Sequence, residues 1–138
     1  MNIKKLIKKY LRSSFYELED AASNKSLIIW EYLKGKYGDN DAAIMICEFC
    51  FICISVDGYL KRNEYDFMRN LYKFDSFENV GEICKKYRGD KYKDVIKKFI
   101  SMFPEELKEV VIEFCIIIFC IDGEIDYYES EFLDVITK

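Results

Sequence analysis

The 138-residue sequence has no histidine, one proline, six glycines and one tryptophan. Without histidine the usual general base at neutral pH is missing, and with it the Ser-His-Asp and Cys-His arrangements. Zinc sites that mix cysteine with histidine are excluded for the same reason. So little proline and glycine leaves few turns, which favours a small number of long elements over a sandwich or barrel. No glycine-rich loop is suited to cradling phosphate. The longest apolar run, Ala42 to Val56, is interrupted by Glu48 and falls short of the ~18–20 residues of a membrane span. No secretory leader is read at the start, because Lys8, Lys9 and Arg12 interrupt what would be its apolar segment. The six cysteines are therefore read as reduced thiols of a cytoplasmic protein.

What remains is rich in apolar residues, at 51%, enough for a substantial core in one domain spanning residues 1–138. Helical spacing of those residues predicts an all-α, compact bundle of about seven helices. Ile3 to Leu11 reads as a surface helix with Lys4, Lys5, Lys8 and Lys9 on its outer side, a pattern that can also lie on an anionic membrane. Ser14 and Glu17 form a capping box for a brief second helix. Asn24 to Tyr37 follows, with Leu27, Ile28, Trp30 and Leu33 expected inside and Gly38 as its stop. Asp39 or Asn40 caps a helix to about Val56 that is apolar nearly all round and belongs mid-bundle. Arg62 to Lys73, Phe77 to Tyr87 (capped by Ser76, stopped by Gly89) and Lys91 to Met102 (started by Asp90) come next. Pro104 is expected as the first residue of a helix to about Ile121, and Tyr127 to Thr137 closes the chain.

One stretch is written twice. Asp57-Gly58-Tyr59-Leu60-Lys61-Arg62-Asn63-Glu64 returns as Asp122-Gly123-Glu124-Ile125-Asp126-Tyr127-Tyr128-Glu129. Residues 48–71 and 113–136 are identical at eight of twenty-four positions, including Cys50/Cys115, Ile52/Ile117 and Phe67/Phe132. The repeat predicts two helix–corner–helix units whose buried helices pack about a pseudo-twofold axis. The corner's spacing matches the second half of an EF-hand loop. The upstream ligand positions, however, hold Cys53 and Ser55 in one copy and Ile118 and Cys120 in the other. Helix termination explains the pattern better. Glycine takes the left-handed stop and Leu60 or Ile125 packs back. Asp126 and Glu129 then form a capping box, for which the first copy has only Lys61 at the cap. Asp57 and Asp122 stand at helix C-termini, where a negative charge calls for a cation, a basic partner or the turn's own N–H groups.

Two such corners, each following a buried alanine- or isoleucine-rich helix in an all-helical chain, resemble the TerB-like family named for tellurite resistance. The resemblance implies a helical bundle with acids gathered on one surface that binds metal ions or docks proteins, including membrane-associated stress complexes. The acids it singles out as metal ligands are Asp57, Glu64, Asp122 and Glu129. Lys61 departs from the small polar or acidic residue usual after the hydrophobic position.

Other constellations lead nowhere catalytic. Cys47, Cys50 and Cys53 have iron–sulfur-like spacing, but they lie in a predicted helix and Asp57 holds the place of a fourth ligand; they read as packing residues. Glu48 and Glu113 are lone acids in apolar helices, each expected to reach a helix edge or pair with a lysine or tyrosine. The charge is uneven: residues 105–138 carry ten acids and two lysines, against a whole-chain net of −4. That end disfavours nucleic acid and suits a basic partner, with Glu124, Asp126 and Glu131 as candidate partner-binding residues. The expected function is non-enzymatic: protein docking or weak divalent-cation binding through the acidic surface, linked to stress resistance, with no cofactor other than such a cation. An immunity protein neutralising a basic toxin domain is the other reading, favoured by small size and a lysine-, isoleucine-, asparagine- and tyrosine-rich composition.

Overall fold

The computed structural model describes residues 1–56, 61–72, 77–85 and 91–137, and among them there is no strand. The candidate caps and stops Gly58, Ser76, Gly89 and Asp90 lie outside the described residues, as does Asp57. Helix α1 (Ile3–Leu11) starts where the Asn2 side chain accepts the Lys5 N–H at 3.0 Å. Helix α2 (Phe15–Tyr37) starts on the expected capping box, with both Ser14–Glu17 bonds formed. It then runs unbroken for 23 residues, replacing the two helices expected. No proline or glycine lies between Glu17 and Asn24 to interrupt it, and Ala21 and Ala22 favour its continuation.

One stripe along α2 is buried: Leu18, Ala22, Ser26, Ile29 and Leu33. Because this register is fixed over the whole helix, Leu27 and Ile28 fall outside it and are 59% and 41% exposed, contrary to expectation. Gly38, at φ 85° and ψ 167°, ends α2 and at once precedes α3 (Asp39–Ile54). Asp39 therefore sits inside the first turn, not at the cap, where its charge still opposes the helix dipole favourably.

The middle of the molecule is made by the C-terminal halves of α3 and α7 (Glu105–Phe119). Every residue from Phe49 to Val56 and from Phe114 to Cys120 is buried. The two helices touch, with the Cys53 and Cys115 sulfurs 3.8 Å apart. The first half of α3 is one-sided instead, leaving Ile44 exposed. Pro104, in extended geometry, stands one place before α7 where the helix was expected to begin on it.

Around this pair lie α4 (Arg62–Leu71), α5 (Phe77–Cys84), α6 (Tyr92–Ser101) and α8 (Tyr127–Thr137). Helix α2 packs most extensively on α7 and next on α3, so it braces both repeat units. Aromatic rings continue the core outward. Phe49 stacks on Phe99 at 4.5 Å and meets Phe114 at 5.8 Å. Phe132 is held between Phe119 at 5.1 Å and Tyr92 at 5.4 Å.

Candidate functional site

The second corner grows out of α7. After Phe119 the chain tightens into a 3₁₀ turn, Cys120–Asp122, and Gly123 follows at φ 85° and ψ −1°. This is the left-handed stop that the Asp-Gly pair predicts, and it favours glycine because a Cβ is strained there. Helix α8 then opens on the expected capping box. The Asp126 Oδ1 accepts the Glu129 N–H at 2.8 Å, and the Glu129 Oε1 accepts the Asp126 N–H at 3.0 Å.

Glu64 and Glu129 occupy the same helical position in the two copies, and each is only 3% exposed. Three residues on, Phe67 and Phe132 are both fully buried. The repeat thus extends from sequence to packing. At the first copy Lys61 provides no side-chain cap, as its chemistry implies; the Asn63 Oδ1 accepts the Glu64 N–H instead, at 2.9 Å. Burial pushes the Glu129 carboxyl up to about 8, with the Asp126 N–H and Lys61 opposing and the Asp126 and Asp122 charges adding.

The two corners are tied together. The Lys61 Nζ lies 2.9 Å from the Asp122 Oδ2, and the Asn63 Nδ2 donates to the other oxygen of the same carboxylate. Asp122 is the acid whose place at a helix end calls for positive charge, and Lys61 of the other repeat supplies it. Among the described residues no three acidic, cysteine or histidine side chains gather as a metal site. Of the four candidate ligands, Asp57 lies outside the described residues and Glu64 and Glu129 are buried, Glu129 within its capping box.

The candidate partner residues separate by role. Glu124 is exposed, Asp126 is half-buried and committed to the cap, and Glu131 pairs with Lys93 at 3.1 Å. Beside them stand two residues that the sequence reading passed over. Tyr127 and Tyr128 are 74% and 53% exposed, their rings edge to face at 5.6 Å. The spacing held the signal: Glu129, Phe132, Leu133 and Ile136 form the inner side of α8, and that register leaves the tyrosines on the outer side.

The remaining singular residues are structural. Glu113 accepts from the Tyr10 hydroxyl at 3.0 Å and pairs with Lys25 at 2.8 Å, joining α1, α2 and α7. Burial, then the Glu113 charge, pushes the Tyr10 phenol upward. Glu48 is exposed. Cys50, Cys53, Cys115 and Cys120 are buried and Cys47 half-buried, all as free thiols. Burial raises Cys120 to about 12, with Glu129 adding. Trp30 is half-buried and borders an apolar groove of about 610 Å³ with Leu27, Ala43, Ile46, Cys47 and Tyr72. No helix among the described residues is long and apolar enough to cross a membrane. Compared with known proteins, the chain matches no family model, no curated protein and no solved structure.

Proposed function

We propose that this chain is a non-enzymatic, TerB-like helical domain that docks a basic protein partner through the outer side of its second corner. The supporting observation is the exposed pair Tyr127 and Tyr128 on the first turn of α8, flanked by exposed Glu124 and Asp134. Tyrosine offers a large contact surface with a polar tip and few rotatable bonds, which suits a binding anchor. Acids around such anchors steer a cationic partner and raise its association rate. The buried face of α8 has its own packing to do, so these outward residues are available to a partner. Docking is preferred over divalent-cation binding because the Asp122 carboxylate is already met by Lys61.

In this reading the domain works in the cytoplasm within a stress-resistance assembly. A toxin-neutralising immunity protein would use the same surface, and the acidic, tyrosine-bearing corner fits a basic toxin equally well. An upstream toxin gene would favour that version, and a tellurite-type operon would exclude it. The docking itself is tested by affinity capture with wild type and with a Glu124→Lys, Tyr127→Ser, Tyr128→Ser variant. Wild type should retain a basic protein that salt releases and that the variant fails to hold. Equal retention by both proteins contradicts the proposal.

A further inference from the structure

The corner site makes no use of the outer side of α1, and that side has a chemistry of its own. Residues 1–16 contain five basic side chains and no acid. Ile3, Leu6, Ile7 and Tyr10 turn inward to the core. The residues left outside, Lys4, Lys5, Lys8, Lys9, Leu11 and Arg12, are all exposed. At ~100° per residue they fill one arc of roughly 160°. Leu11 is 36% exposed, and just beyond it Phe15 and Tyr16 are 53% and 78% exposed. Every outward residue of the helix is therefore either a cation or Leu11.

We infer that this side of α1 is a docking face for an anionic lipid bilayer. Clusters of four to eight lysines and arginines are the surface recognised by anionic headgroups. The apolar stripe of α1 is spent on the core, so the helix does not sink into the bilayer. It rests its lysine stems on the headgroups while Leu11 reaches the acyl boundary. Four of the five cations are lysines. They act as flexible point charges, which suit a diffuse field of headgroups more than the bidentate recognition of phosphate or base edges that favours arginine. Leu11 has no role in a phosphate-binding groove but has one at a lipid interface. The nearby acids are Glu17 and Asp20, which line a shallow cleft with Lys9; Glu105 and Glu109, which line another with Met1 and Ile3; and Glu113 behind the helix. Glu17 is held in its cap, Glu109 lies 3.8 Å from the N-terminal amine, and Glu113 is paired with Lys25. Lys4, Lys5, Lys8 and Arg12 are thus the centre of the face. Within a Debye length of ~8 Å this local charge outweighs the chain's net −4.

The test is co-sedimentation of the full chain with phosphatidylcholine vesicles containing about 30% phosphatidylserine. The protein should bind, stay in solution with pure phosphatidylcholine, and detach in ~0.5 M salt. Lys4→Gln, Lys8→Gln should keep its circular dichroism and bind roughly 30-fold more weakly, at about fivefold per charge. Leu11→Ser should weaken vesicle binding further. Absence of binding to the anionic vesicles, or unchanged binding by the folded lysine variant, overturns the inference. So does equal binding to poly(U) RNA combined with no effect of Leu11→Ser, which would make the face a general polyanion surface.

Discussion

Lys61, at the start of α4, reaches across the repeat to Asp122, at the end of the 3₁₀ turn, and closes on it at 2.9 Å. The contact is asymmetric. The second copy has Asp126 where the first has Lys61, and that difference converts two similar corners into complementary ones. One repeat uses the position to cap its own helix, and the other uses it to neutralise its partner's turn.

A double-mutant cycle on Lys61→Met and Asp122→Asn should therefore show coupling. Lys61 is 39% exposed at its side chain and Asp122 18%, so screening limits the pair. A coupling of about 0.5–1 kcal/mol is expected from urea denaturation, shrinking as salt is raised. Additive single effects would mean the two corners stand independently.

Glu129 gives the fold a pH dependence of defined sign. Its folded carboxyl titrates near 8, against an ordinary value of 4.5. Between those values the folded chain keeps a proton that the unfolded chain has released. The stability from this group is full below 4.5 and is lost as pH rises through about 8. Glu129→Gln keeps the capping oxygen and cannot ionise. Denaturation midpoints measured from pH 5 to 9 should fall less steeply for the variant than for wild type; parallel curves would show that Glu129 does not titrate there.

Glu113 should matter more to stability than Glu48. Glu113→Ala leaves the buried Tyr10 hydroxyl without its acceptor and Lys25 without its partner, costing about 2 kcal/mol. Tyr10→Phe, which removes the hydroxyl itself, should cost about 1 kcal/mol. Glu48→Ala, on an exposed position, should stay within about 0.5 kcal/mol. Chemical denaturation of the three variants gives the ranking directly.

Two glycines should respond to alanine in opposite directions. At Gly123, φ 85° is unfavourable for any side chain, so Gly123→Ala should destabilise by about 1 kcal/mol. Gly35 lies within α2 with open space where a Cβ would go, so Gly35→Ala should stabilise by about 0.5–1 kcal/mol. Opposite shifts of the thermal midpoint are the expected readout.

The residues that could be read from sequence are those whose neighbours in the chain decide their role. The Ser14–Glu17 and Asp126–Glu129 boxes, the Gly123 stop and the buried halves of α3 and α7 all depend on spacings of a few residues. What could not be read depends on distant parts of the chain. The register of α2 is chosen by α7 and α3, which is why local spacing points Leu27 and Ile28 inward although they lie outside. The Lys61–Asp122 contact spans sixty-one residues. Lys61 looked like a defect in its own copy because the carboxylate it serves belongs to the other. Tyr127 and Tyr128 were legible in principle, since the apolar register of α8 leaves them outside, but an acidic motif draws the eye to its carboxylates.

A calorimetric titration decides whether a protein side chain or an ion fills the second corner. Calcium, magnesium and manganese should give wild type no saturable heat beyond that of the Asp122→Asn, Glu129→Gln protein, because Lys61 already holds the Asp122 carboxylate. Saturable heat in wild type that this double substitution abolishes would contradict the account and make the corner an ion site.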